Sequence, residues 1–229
     1  MKFTKAIITA MPEEAERIIE KYQLQEEKKI GYLTIYKGER EDEEGEKEEI
    51  VLALCGVGKI HASFATTYLF ENYDITKLIN IWVVGNLRGN MMQVGDVILP
   101  NTFLQHDTYI PDFINTMGYL REAIFLEYAV GEDYDLQKFE LRLHGICVTG
   151  DQFIDNTEKM QELEESYGAD IVDMEAYAIL TVAKAYDALD KCVVIKSISD
   201  GADNEAVKDF SGNLDFAMQN AIAILDFTL

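Results

Sequence analysis

The chain predicts an α/β fold: a three-layer α/β/α sandwich around a central mixed β-sheet. Three observations carry that prediction. Short runs rich in β-branched residues alternate with helix-start signals from end to end, the pattern of a sheet covered on both faces. Two of those runs, Gly31–Tyr36 and Ile50–Leu54, flank a turn-like acidic stretch and predict a hairpin, so the sheet is mixed rather than wholly parallel. No Pro/Gly/Ser linker and no repeat interrupts the 229 residues, which predicts a single domain over 1–229.

The elements follow in order. Ala6-Ile7-Ile8-Thr9 reads as the first strand. Met11-Pro12-Glu13-Glu14 then opens a helix, with proline in the first turn and acids beside it to complement the helix dipole. After the hairpin, Gly56-Val57-Gly58-Lys59 opens a helix that runs to about Asn72. Leu78–Val84 is a short apolar strand ended by Gly85, Asp96–Gln105 is extended, and Leu141–Thr149 is a further strand. Ile171–Asp173, Met174–Tyr186, Cys192–Ile198 and Leu214–Leu225 read as strand, helix, strand and helix. The region 112–138 has the weakest pattern and reads as a helix-loop excursion.

Composition narrows the function classes. A hydrophobic content of 48% supports a sizeable core. A net charge of −22 opposes nucleic acid as a partner, because binding phosphates requires basic surface. The charge is unevenly spread, and residues 38–49 form a highly acidic stretch, read as a solvated hairpin tip; a calcium site there would lack EF-hand spacing. No segment reaches the ~20 consecutive apolar residues of a membrane span, and the start of the chain lacks a signal-peptide pattern. The expected location is cytoplasmic. Cys55, Cys147 and Cys192 sit in apolar runs and read as core thiols. His61, His106 and His144 have no zinc-site spacing, and His106 beside Asp107 is the one that invites attention.

Candidate chemistry gathers at strand ends, where open α/β sheets bind ligands. Asp173-Met174-Glu175 and Ser199-Asp200 each deliver carboxylates to such a rim. Taken alone, Glu175 fits a first-turn helix acid and Asp200 a cap or turn residue better than either fits a site acid. The Gly56–Lys59 segment fits either close backbone approach to a ligand or a tight turn, since it lacks a full dinucleotide or P-loop pattern. Phe153, after a strand and a glycine turn, fits either a base-stacking platform or a buried loop anchor.

Seven pieces in register resolve these alternatives through resemblance. Ala10-Met11-Pro12-Glu13-Glu14, Gly56-Val57-Gly58-Lys59, Val94-Gly95-Asp96-Val97, Gln105-His106-Asp107, Gly150-Asp151-Gln152-Phe153, Asp173-Met174-Glu175-Ala176 and Ser197-Ile198-Ser199-Asp200 span residues 10 to 200. In these the chain resembles the nucleoside phosphorylase/hydrolase superfamily, most closely its 5′-methylthioadenosine/S-adenosylhomocysteine nucleosidases. The resemblance implies that Asp200 is the general acid at N7 of a departing purine and that Ser199 positions it. It implies that Glu175 holds the ribose hydroxyls, Met174 packs on the sugar and Glu14 orients the attacking water. Phe153 would stack on the base, the Ile154 backbone would read it, and Val57 would line the 5′ side. A small-molecule adenine nucleoside is then the ligand, with no cofactor and no metal. The protein is expected to be a homodimer in which residues near Tyr109–Phe113 act across the interface.

Two positions depart from the family pattern. Gly85-Asn86-Leu87-Arg88-Gly89-Asn90 stands where the family carries small residues, which makes Asn86 and Arg88 candidate pocket residues. Arg88 is expected to pair with Glu14 or Glu175, to admit an anion, or to fill the pocket. Lys196 replaces an arginine near the ribose acid and lacks its bidentate fork. Glu13, Glu14 and the uncharged Gly95 stand where related phosphorylases hold phosphate with arginines, so hydrolysis is expected. A phosphate-dependent phosphorylase and a catalytically weakened nucleoside-binding relative are the alternatives.

Overall fold

A computed structural model describes residues 3–41, 45, 47–108, 122–128 and 139–228. The expected contribution of Tyr109–Phe113, and most of the 112–138 excursion, lie outside the described residues. Among those described, twelve strands form one mixed sheet. Its main path runs β2 (Gln25–Ile30), β3 (Leu33–Glu41), β4 (Lys47–Leu54), β1 (Thr4–Thr9), β5 (Ile75–Asn86), β11 (Ile171–Asp173), β10 (Ile146–Thr149), β7 (Thr102–Gln105) and β8 (Ile124–Phe125). β12 (Cys192–Asp200) branches from β5 and carries β6 (Val97–Leu99) and β9 (Leu141–Leu143).

Helices cover both faces, as the alternation predicts. α2 (Lys59–Asn72) and α4 (Ala176–Ala185) bury Ala62, Ala65, Leu69, Ile179, Leu180 and Ala183 against one side of the sheet. α1 (Pro12–Tyr22) and α5 (Ala206–Thr228) bury Ala15, Ile18, Ala217, Ala221 and Leu225 against the other. β5 alternates between the two, with Leu78, Trp82 and Val84 facing one core and Ile79, Ile81 and Val83 the other. That period-two split is why an almost wholly apolar run belongs to a central strand.

β5 is also where the site originates. β12 occupies one of its edges from Leu78 to Gly85. On the opposite edge, β1 runs parallel to it only as far as Asn80, while β11 arrives antiparallel at Gly85 and Asn86. Residues 81–84 are therefore left without a strand neighbour on that side. The end of β1 and the end of β11 approach this gap from opposite directions.

Some elements differ from expectation for identifiable reasons. β2 was not legible because its exposed, charged sequence pairs only with β3, at the sheet's rim. α3 (Thr157–Tyr167) was likewise missed, although Asn156 caps it by accepting from the Lys159 amide at 2.8 Å and Gly168 ends it at φ 62°. The expected strand Leu141–Thr149 is broken at His144 and Gly145, both at positive φ, so its halves pair with different neighbours. α5 begins at Ala206 rather than Leu214. The hairpin strands extend into the acidic stretch as far as Glu41 opposite Lys47, helped by the Arg40–Glu48 ion pair at 3.0 Å.

Candidate active site

The gap beside β5 opens into a cavity of about 200 Å³. Trp82, Val83, Val84 and Gly85 form its back wall. Ala10, Met11 and Glu14 enter from the β1–α1 junction, Val172 to Glu175 from β11, and Ser199 with Asp200 from the end of β12. Gln152, Phe153 and Ile154 from the loop after β10, Val57 from the β4–α2 turn, and Phe210 from α5 complete the lining. Of the ten predicted site residues, eight line this one cavity: Glu14, Glu175, Asp200, Phe153, Ile154, Met174, Ser199 and Val57.

Asn86 and Arg88 do not. Asn86 turns inward and donates to the Gly89 and Met92 carbonyls at 2.8 and 2.9 Å, while its own carbonyl accepts from the Arg88 amide. The Arg88 guanidinium points away from the cavity, donating to Asp170 Oδ1 at 2.8 Å and to the Gly168 carbonyl, with Glu164 at 3.4 Å. Leu87 is fully buried among Val148, Leu163 and Ala169. The expectation that Arg88 pairs with Glu14 or Glu175, or fills the pocket, is therefore corrected. The backbone wall lies a few residues earlier, at 82–85, and ends where the chain turns to tie α3 to β5. A side chain at Gly85 would crowd this wall: a Cβ would lie 3.0 Å from the Ala202 Cβ, 3.1 Å from Val172 Cγ1 and 3.2 Å from Asp200 Oδ1.

Each of the three acids is buried and carries its own set of donors. Glu14 reaches back from the first turn of α1, and its Oε2 accepts from Thr9 Oγ1 at 2.9 Å, the Ala10 amide at 3.1 Å and the Met11 amide at 2.9 Å. Its Oε1 faces the Val83 amide at 3.4 Å, on the unpaired edge of β5. Burial raises its pKa, and these donors pull against that rise. Glu175 accepts the Gly58 amide at 2.7 Å. Burial and the neighbouring Asp173 charge push it up to about 8. Asp200 accepts from Ser199 Oγ at 2.8 Å and the Ala202 amide at 2.9 Å, and burial again raises it.

Behind the wall lies a buried ion pair that motif reading passed over. Lys196 Nζ sits 2.7 Å from Asp173 Oδ2 and 3.5 Å from the centroid of the Trp82 ring, with no solvent exposure. Asp173 also accepts from Thr149 Oγ1 at 2.6 Å and from the Ala176 amide at 3.1 Å. Lys196 thus braces β11 and the indole instead of entering the cavity. Across the mouth, the Phe153 and Phe210 rings meet edge to face at 5.7 Å. Trp82 and Phe210 were invisible to motif reading because each reaches the cavity only through strand register or helix packing.

His106 is buried against Gly150, and neither ring nitrogen has a hydrogen-bond partner among the described residues. Among the described residues there is also no cluster of three metal-ligating side chains. All three cysteines are buried free thiols.

Residues 4–229 match the phosphorylase superfamily. The chain belongs to that superfamily. It is 30% identical over 218 residues to a 5′-methylthioadenosine/S-adenosylhomocysteine nucleosidase from Buchnera aphidicola, covering 92% of this chain and 90% of the relative. It is 27% identical over 226 residues to an aminodeoxyfutalosine nucleosidase from Helicobacter pylori, covering 96% and 94%. Among solved structures of the superfamily, a 5′-methylthioadenosine/S-adenosylhomocysteine nucleosidase from Neisseria meningitidis, in complex with methylthio-immucillin-A, superposes with a TM-score of 0.85. The two are 25% identical over 100% of this chain and 98% of that one.

Proposed function

We propose that this chain is an N-glycosyl hydrolase that splits the ribosidic bond of 5′-methylthioadenosine, S-adenosylhomocysteine or a related adenine nucleoside and releases adenine. One observation carries the choice of water over phosphate. The cavity is lined by Glu14, Asp173, Glu175 and Asp200 and by no arginine or lysine among the described residues. A phosphate dianion there would find no cation to hold it, whereas a positively charged, oxocarbenium-like sugar would be favoured beside ionised carboxylates.

The proposed steps use the geometry directly. Asp200, whose hold on its proton burial strengthens, donates to N7 of the leaving purine. Ser199 Oγ lies 2.8 Å from Asp200 and 3.3 Å from the Val84 carbonyl, yet it has a single hydrogen to give. While Asp200 holds its one acidic hydrogen for N7, Ser199 can donate to Val84; once that proton leaves, the hydroxyl turns to the new carboxylate. Ionised Glu175 holds the ribose hydroxyls, and Glu14 takes a proton from the attacking water. The edge-to-face pair of Phe153 and Phe210 supports stacking on the base and closure over it.

A homodimer in the cytoplasm completes the reading. Tyr32, Val57, Ile60 and Phe64 expose apolar surface around the β4–α2 turn, with Ile60 80% exposed, and Val57 also lines the cavity. A second copy covering this face would close the pocket's open side. Buried, unpaired cysteines support a reducing compartment. No helix among the described residues is long and apolar enough to cross a membrane.

The test is a panel of purine nucleosides assayed for free base with and without phosphate. Adenine release that ignores phosphate is expected. Strict phosphate dependence would establish a phosphorylase, and tight binding without turnover a binding protein.

A further inference from the structure

Three loops on the cavity's rim are tied into one ring. The Lys59 amide donates to Asp151 Oδ1 at 2.8 Å. The Asp151 amide donates to Asp107 Oδ2 at 2.8 Å. Lys59 Nζ closes the ring on Asp107 Oδ1 at 2.6 Å. The Lys59 and Asp107 side chains are only 18% and 13% exposed, so this is a sheltered pair and not a surface contact. Burial alone would raise Asp107, but Lys59 and the Asp151 amide outweigh it and hold its pKa low.

Sheet order gives the ring its significance. Lys59 follows β4, while Asp107 and Asp151 follow β7 and β10. Between β4 and β10 lie β1, β5 and β11, the strands that border the cavity. The ring therefore bridges the two sides of the mouth, joining the Val57–Gly58 turn to the loop that carries Gln152, Phe153 and Ile154. Gly58, at φ +100°, is held between them: its amide donates to Glu175 at 2.7 Å, and a Cβ there would lie 3.1 Å from Asp151 Oδ1.

We propose that Lys59, Asp107 and Asp151 form a positioning bridge that sets the distance between the base-holding loop and Glu175, and aims the Gly58 amide at that acid. The inference rests on the nucleosidase reading for what the two walls hold. The other charged and titratable groups facing Glu175 are Asp173 from β11, Lys196 from β12, Glu14 from α1 and Cys55 at the end of β4. None of them belongs to the ring. Loosening the ring thus removes a hydrogen bond to ionised Glu175 while leaving those charges in place, and it favours the protonated form.

The experiment compares wild type, Lys59→Met, Lys59→Arg and Asp107→Asn at matched folding, checked by circular dichroism and melting. Trp82 is the only tryptophan of the chain and lines the cavity, so its emission reads adenosine binding independently of turnover. Lys59→Met and Asp107→Asn should weaken binding and lower kcat by about 10- to 100-fold, the scale of a small misplacement. The pH limb that rises with Glu175 ionisation should move to higher pH, and Lys59→Arg should recover part of both losses. If Lys59→Met does not fold, Asp107→Asn carries the same test. Wild-type-like binding, kcat and pH limb in the folded variants would overturn the bridge while leaving the nucleosidase reading intact. Wild type that binds without turnover overturns only the catalytic reading, since binding still reports the bridge; wild type that neither binds nor turns over the nucleoside overturns both.

Discussion

Asp170, just outside the cavity, and Asp107, on its rim, each face a cation at close range, Arg88 at 2.8 Å and Lys59 at 2.6 Å. Glu14, Glu175 and Asp200, inside it, accept only from hydroxyl and backbone donors among the described residues. The two sets differ in what burial does to them. Near Lys59 the carboxylate stays ionised and serves as a fastener. Without a direct cation, burial raises Glu14, Glu175 and Asp200, Glu175 to about 8. Cations placed against Asp107, Asp170 and Asp173, and kept off Glu14, Glu175 and Asp200, separate structure from chemistry.

The sharpest way to break this contrast is Asp200→Asn. The amide still accepts from Ala202 but cannot deliver the acid's proton, so folding should persist while kcat falls about 10²- to 10⁴-fold. Adenine release at the wild-type rate would remove Asp200 from the acid role.

Glu175→Gln tests the same idea through stability. A carboxylate at about 8 in the folded state, against 4.5 unfolded, sheds its proton more readily from the unfolded chain. Wild-type stability should thus fall as pH rises from near 5 to about 8 and level off above. The glutamine variant lacks that contribution, so its melting advantage over wild type should grow across the window while kcat/KM drops by roughly 10²-fold. A melting difference independent of pH would contradict the assignment.

A smaller effect concerns affinity. Ribose hydroxyls donate best to ionised Glu175, so adenosine affinity, titrated by calorimetry, should climb by up to about tenfold per pH unit until pH nears 8. A flat profile would mean that Glu175 does not meet the ligand. Least of all should activity respond to Arg88→Met. That change should leave kcat within about twofold and cost about 1–2 kcal/mol in denaturant unfolding, since it strips Asp170 of its cation and leaves only the Ile146 amide. A large gain or loss in kcat with unchanged stability would return Arg88 to the working site.

The contrast also marks how far the sequence could be read. Glu14, Glu175 and Asp200 were legible through the resemblance, because each sits in one of the seven family-like segments at a strand end; local pattern alone favoured a helix-turn role for Glu175 and a cap or turn role for Asp200. Arg88 was not. Its long side chain can reach in several directions, and its choice of Asp170 and Gly168 depends on α3, an element the sequence reading missed. Trp82 read as one more apolar strand residue, because only register tells which of β5's two faces borders the gap. The broken strand at His144–Gly145 was missed for the same reason, since its two halves are held by partners remote in sequence.

The sequence by itself determined the alternation of strands and helices, the two-faced burial of β5 and the delivery of acids to one edge. These depend on local periodicity and on caps a few residues away. Only the tertiary structure decided that β1 and β11 both leave β5 around residues 81–84, that Lys196 braces Trp82 from behind, and that Lys59 bridges the mouth. Those contacts join residues from strands far apart in the chain, and long-range register sets them. The paired acids mark where the chemistry gathers, and the register of β5 makes the cavity in which they meet.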